Sequence, residues 1–235
     1  MTTPVGDPLA PHDLFDTERW RLVLPVAEEG RTEPAEVVAP WLHVWSHPLY
    51  FFGDSLGWMH HVAPVAGAGP VTRCELRQRV RDGDAAWPLG AADQDHILAM
   101  TAAVDLSSID GDRRAVIARI GDDGPADPLA IVADMRDEPG RVIVAHPGGE
   151  TTALDGVDRT PFSLRITVTG QGAARRCYVF AGPGEASPPA VASWPVADFA
   201  PVGGCYFAVG VCNVEPNTGA GIGKAIMRHK RLTVV

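Results

Sequence analysis

Apolar residues in this chain come in short runs or alternate with polar ones, and hardly anywhere at helical spacing. The clearest runs are "WRLVLPV" (20–26), "LYFFGD" (49–54), "WMHHVAPV" (58–65), "TRCELRQRV" (72–80), "HILAMTAAVDL" (96–106) and "AVIARIG" (115–121). They continue with "LAIVADM" (129–135), "RVIVAHP" (141–147), "FSLRITVTG" (162–170), "RRCYVFAG" (175–182), "CYFAVGVCN" (205–213) and "KAIMRHKRLTVV" (224–235). Alternation predicts strands, because successive side chains of an extended chain point to opposite sides. Between the runs lie Gly-Asp, Asp-Gly-Asp, Asp-Asp-Gly-Pro, Pro-Gly-Gly and Gly-Pro-Gly, which are turn signals. A dozen short strands punctuated this way predict an all-β sandwich or barrel in one domain spanning 1–235. Residues 1–14 read as an extended N-terminal arm, and short helices are expected near 17–20 and 34–38. No internal repeat or low-complexity segment is visible.

One strand departs from ordinary patterning. In "TRCELRQR" (72–79), strand parity puts Arg73, Glu75, Arg77 and Arg79 on one face and Cys74, Leu76 and Gln78 on the other. Such a charged row serves either as a solvated outer face or as a site that holds an anion.

Composition narrows the partners. The hydrophobic share of 46% supports a core, and a net charge of −9 disfavours nucleic acid or an anionic membrane as the main partner. The first residues lack a basic segment followed by an apolar one, so a cytoplasmic protein is expected. Four sparse cysteines, Cys74, Cys177, Cys205 and Cys212, read as reduced thiols. Their spacing suits no metal site, and no cofactor is expected. "TGAGIGKA" (218–225) imitates a phosphate loop, but Ala225 follows Lys224 where a Walker motif needs Ser or Thr. It reads as a loop between the last two strands.

Several segments, in order, resemble the alginate-lyase-like proteins of polysaccharide lyase family 7. "FDTERWRLVLPV" (15–26) is similar to the family's opening Trp-Lys-Leu-x-Leu-Pro strand, and "LYFFGDSLGWMHHVAPVAGAG" (49–69) to its next two strands. "TRCELRQ" (72–78) resembles the Arg-(Thr/Ser)-Glu-Leu-Arg-Glu signature. "AVIARIG" and "CYFAVGVCN" resemble Val-Ile-Gly-Gln-Ile-His and Tyr-Phe-Lys-Ala-Gly-x-Tyr-x-Gln. The resemblance implies a β-jelly roll with a groove across one sheet, and β-elimination at a uronate. That reaction needs the C5 carboxylate neutralised, the C5 proton removed and the departing C4 oxygen protonated. It implies Arg73 as the carboxylate-binding arginine, with Glu75 and Arg77 holding it in place, and Tyr206 in the proton-handling set.

The family pattern is incomplete here. Its Gln and His fall at Arg119 and Gly121, its Lys at Ala208, its second Tyr at Cys212 and its last Gln at Val214. His60 or His61 is a candidate base, since parity sends one to each face; the sequence does not say which. Arg119 is either a partner of Arg73 around an anion or a partner of Glu75. Cys212 reads as a small buried thiol or as a substrate contact. The catalytic candidates are therefore Arg73, Tyr206, His60 and Arg119. The substrate-binding candidates are Glu75, Arg77, His61 and Cys212. The expected ligand is a carboxylate-bearing oligosaccharide or small molecule. A uronate lyase leads, ahead of an intracellular small-molecule lyase, dehydratase or cyclase and a non-catalytic carbohydrate-binding protein. The second would have a closed apolar pocket built with Trp58, Phe207 and Trp194.

Overall fold

Alternating runs become strands because one side of each is apolar enough to bury. The computed structural model describes residues 8–27, 34–65, 73–80, 83–84, 86–89, 94–109, 112–122, 127–186, 188–199, 204–213 and 223–235. The strands are β1 (Trp20–Ala27), β2 (Pro34–Val38), β3 (Phe51–Gly53), β4 (Met59–Val65), β5 (Arg73–Val80), β6 (Gly83–Asp84), β7 (His96–Asp105) and β8 (Arg114–Gly121). They continue as β9 (Leu129–Asp134), β10 (Gly140–His146), β11 (Gly149–Val157), β12 (Phe162–Thr169), β13 (Arg176–Pro183), β14 (Ala190–Pro195), β15 (Tyr206–Asn213) and β16 (Gly223–Val234).

Two antiparallel sheets form a jelly-roll sandwich. The larger runs β11-β10-β9-β8-β15-β5-β1-β2, with β6 hydrogen-bonded to β5. The smaller runs β14-β13-β12-β7-β16-β4-β3. Between them lie Leu22, Leu76, Ile117, Ile120, Phe207 and Val209 of the larger sheet and Leu98, Met100, Leu164, Ile166 and Met227 of the smaller. Burying each such side chain contributes about 1.5–3 kcal/mol, which fixes the register of every strand that carries one.

Some expectations change. Residues 34–38 form an edge strand and not a helix, with Val38 opposite Arg21 and Glu36 opposite Val23. The expected turn near 17–20 is a 3₁₀ helix, Thr17–Arg19, capped by the Asp16 carboxylate, which accepts from the Glu18 N–H. The proposed arm contains a helical turn, Pro11–Leu14, with Pro11 buried; residues 1–7 lie outside the described residues. β6, β11 and β14 had no counterpart among the predicted runs. All four cysteines are free thiols.

Candidate functional site

β5 follows the predicted parity. Cys74 and Leu76 are fully buried in the core, and Arg73, Glu75 and Arg77 face the other way. The glutamate is the centre of this face: its side chain is only 4% exposed. Its Oε1 accepts from Arg77 Nε at 2.7 Å and from Arg119 Nη2 at 2.7 Å, and Arg73 Nη1 stands 3.5 Å away. Burial works against ionisation of Glu75, but Arg119, Arg77 and Arg73 outweigh it and hold the carboxyl below its ordinary range. Arg119 also donates to Asp127 Oδ1 at 2.7 Å. Burial opposes its charge as well, and Glu75 and Asp127 more than restore it. Arg119 is therefore a partner of Glu75, not a free companion of Arg73. Arg73 has the longest contact of the three and the most exposed side chain, at 31% against 17% for Arg77 and 11% for Arg119.

Arg73 and Arg119 do not lie on adjoining strands, because β15 runs between β5 and β8. Small residues on β15 let the charges meet across it. Ala208 pairs with Arg77 on one side and Arg119 on the other, so these three share a row and a face. Where the family resemblance puts a lysine, a methyl group leaves room for both guanidinium groups. Gly210 lies opposite Glu75 at φ +148°. A Cβ there would meet the Cys74 carbonyl oxygen at 2.2 Å and Glu75 Cα at 2.6 Å, so only glycine fits.

Tyr206 is buried on the same face, with its ring 5.7 Å from the Arg77 guanidinium and 5.9 Å from that of Arg119. Gly121 pairs with it on β8, and a Cβ at Gly121 would meet the phenol ring at 2.8 Å and its oxygen at 3.0 Å. The space where the resemblance expects an imidazole thus holds the hydroxyl end of Tyr206. Cys212 pairs with Arg73 and Val116 on this face. Burial, with Glu75 assisting, pushes its thiol up to about 11, so it is protonated at neutral pH and not a nucleophilic thiolate.

Neither histidine candidate reaches this face. β4 precedes β5 in the chain but belongs to the smaller sheet, so parity on β4 says nothing about the arginine face. His60 points outward from that sheet, stacked on Phe52 and hydrogen-bonded to Asp54 Oδ2 at 2.9 Å. His61 is fully buried between the sheets, its Nδ1 3.2 Å from the Cys74 carbonyl and its ring centroid 5.1 Å from that of His229. Burial drives the His61 pKa down to about 3 and that of His229 well below the ordinary imidazole value, so both are neutral. His60 as base and His61 as substrate contact are corrected on these grounds.

The aromatic pocket is corrected too. Phe207 is fully buried in the core against Trp87, Trp58 lies under Arg228 and Lys230, and Trp194 packs on His146. These three do not converge. Of the expected loop 218–225, residues 218–222 lie outside the described residues, and Gly223, Lys224 and Ala225 already belong to β16. Asp127 was not legible as a site residue in the sequence, where its one signal is its place just ahead of β9. Nor was a second ionic centre on the same face of the larger sheet, where the buried Asp134 holds Arg136 at 2.7 Å, Arg141 at 3.3 Å and Arg114 at 3.8 Å. Each of those arginines also faces another carboxylate, from Asp112, Asp137 or Glu150, so that centre is charge-saturated.

No protein-family model and no curated protein sequence matches the chain. Solved structures do. The alginate lyase AlgAT5 of polysaccharide lyase family 7 superposes with a TM-score of 0.74 at 21% identity, covering 97% of this chain and 98% of that one. An alginate lyase from Klebsiella pneumoniae gives 0.74 at 20% identity with the same coverage. A family 7 alginate lyase in complex with substrate gives 0.70 at 20% identity, covering 96% of each chain. The chain therefore has the β-jelly-roll fold of the family 7 alginate lyases, and on it an arginine-rich face with its own choice of residues.

Proposed function

We propose that this face binds a uronate and catalyses β-elimination, with Arg73 on the substrate carboxylate and Tyr206 handling the proton. The observation that carries the reading is the grouping of an incompletely engaged arginine and a tyrosine around one buried glutamate. A carbon acid beside a carboxylate is very weak, and a fixed cation or hydrogen-bond donor that meets the developing negative charge makes it ionise more readily. Arg73 is the guanidinium best able to meet it, since Arg77 and Arg119 are tied to Glu75 by short charge-assisted bonds.

Elimination breaks the C5–H and C4–O bonds, forms a C4–C5 double bond and returns a proton to the departing oxygen. None of the candidate histidines lies on this face, so both proton transfers fall to Tyr206. As a phenolate it removes the C5 proton, with the guanidinium groups of Arg77 and Arg119 beside its ring. The phenol then protonates the oxygen leaving C4. One group serving both atoms requires them on the same side of the sugar, so syn elimination is expected. The solved relative with substrate bound supports a saccharide as ligand.

The test is a panel of uronate polymers followed by ultraviolet absorbance of the unsaturated product. Product from at least one polymer, lost in Arg73→Ala, is the expected result. A folded protein that forms none across the panel contradicts it. A second reading, saccharide binding without turnover, is favoured by the burial of Tyr206. It predicts the same affinity in Tyr206→Phe with the saccharide recovered unchanged from both proteins.

A further inference from the structure

The outward face of the smaller sheet carries cations that the proposed reaction does not use. Its rows follow from the register. Phe52, His60, Arg228 and Ala103 form one, Lys230, Thr101 and Ser163 the next, and Ala99, Arg165 and Phe180 a third. Directly paired residues share a face, so Arg228, Lys230 and Arg165 project together, away from the core.

These cations lie on aromatic rings. The guanidinium of Arg165 is 3.8 Å from the centroid of Phe180, and Arg228 and Lys230 are 4.9 Å and 4.7 Å from that of Trp58. Lys230 and Arg231 pair with Glu185, and Arg159 is 3.4 Å from Asp105. Among the described residues, Arg165 and Arg228 have no carboxylate within ion-pair distance. A guanidinium over a ring is held there by the ring's negative face, although Asp105, beyond ion-pair distance, still interacts with the charge of Arg228. Beside each is a shallow hollow, about 210 Å³ at Arg228, lined also by His60, Arg159 and Asp105, and about 180 Å³ at Arg165, lined also by Thr101, Arg231 and Glu185.

Spacing and cover identify the occupant. Arg228 and Arg165 sit two strands apart and four residues apart along β7, roughly 16 Å by strand geometry, with Lys230 between. No single sugar spans that, but a linear chain of carboxylates does. Single-stranded nucleic acid needs open aromatic faces for its bases, whereas Trp58 is only 6% exposed beneath its two cations.

We propose that this face is a second, non-catalytic binding surface for a linear acidic polysaccharide, with Arg228, Lys230 and Arg165 meeting carboxylates along one chain. It lies on the sheet opposite the arginine floor and does not depend on elimination taking place there.

The experiment titrates the full chain bearing Arg73→Ala with an oligouronate, a neutral oligosaccharide and single-stranded DNA of equal length. Oligouronate binding is expected to persist, to weaken with added salt, and to fall roughly tenfold when Arg165→Gln and Arg228→Gln are added. Near-ultraviolet circular dichroism checks the packing around Trp58. Protection of Lys230 from acetylation by the oligouronate, in the chain with arginines 165 and 228 intact, gives a readout free of those variants. Unchanged affinity in the added variants, equal binding of the neutral sugar, tighter binding of DNA, or an unprotected Lys230 would overturn the proposal. Turnover by the unaltered chain, measured in parallel, separates failure here from failure of the elimination reading.

Discussion

Glu75 stands among three guanidinium groups in a site from which water is largely excluded, and its charge lets Arg77 and Arg119 stay where they are. Glu75→Gln keeps the shape and removes the charge. Leaving a buried cation unbalanced costs about 3–5 kcal/mol, and that loss is expected in denaturant unfolding of the variant. Gly121 and Gly210 are equally constrained, one by the Tyr206 phenol and one by the β5 backbone. Gly121→His would restore the imidazole that the family resemblance expects, but its Cβ alone collides with the tyrosine ring. The expected outcome is a displaced Tyr206 and less activity, not more, checked by solving the variant structure beside its rates. Ala208→Lys would set a fourth cation between Arg77 and Arg119, and a lower melting temperature is expected.

At the scale of elements, β15 decides the site. It lies between β5 and β8, and its small side chains let Arg77 and Arg119 converge on one carboxylate. Its pairing with β5 is extended by Gln78, whose Oε1 accepts from the Trp87 indole N–H at 3.0 Å and the Phe207 N–H at 3.1 Å. Gln78→Leu strands both donors, and about 1–3 kcal/mol is lost for each, measurable as a shift in the unfolding midpoint. Strands with one wholly apolar side were legible in the sequence because burial demands that pattern. β2, β11 and β14 were not, because each is the outer strand of its sheet and carries residues such as Glu36, Glu150 and Thr151 facing partly to solvent. The parity of Arg73, Glu75 and Arg77 was legible for the same reason, and so was their separation from Cys74 and Leu76. The neighbours of a strand were not. Parity sorts the two sides of one strand but does not say that β4, next to β5 in the chain, belongs to the opposite sheet. Arg119 and Gly121 looked like losses from a pattern when only the aligned positions were visible. The register turns them into a cation that reaches Glu75 and a vacancy that Tyr206 fills.

Among the described residues the sandwich buries three imidazoles, and the two most deeply buried, His61 and His229, are ones that an unfolded chain would protonate near pH 6.5. Their folded pKa values are depressed, so the unfolded state binds more protons below pH 6.5. Stability is then full above that pH and falls as the pH drops toward about 3, the folded value for His61. The slope is about 1.4 kcal/mol per pH unit for each histidine until the fold gives way. Glu75 adds to the acid loss only at lower pH, near and below the ordinary carboxylate range, because its folded pKa also lies below its unfolded one. Melting temperatures are expected to hold from pH 8 to about pH 6.5 and to fall from there to pH 5, less steeply in His229→Leu. A flat profile, or an unchanged slope in the variant, would mean that the imidazoles are not buried as described.

The proposed elimination turns on a tyrosine, beside an arginine-ringed carboxylate, that moves the proton. It is tested most directly by the rate of unsaturated product formation from a saturating uronate oligomer, compared between the unaltered chain and Tyr206→Phe. Binding is expected to be retained and the rate to fall by at least about a hundredfold, the usual contribution of a positioned acid–base group. Product formed at the same rate by both proteins would contradict it.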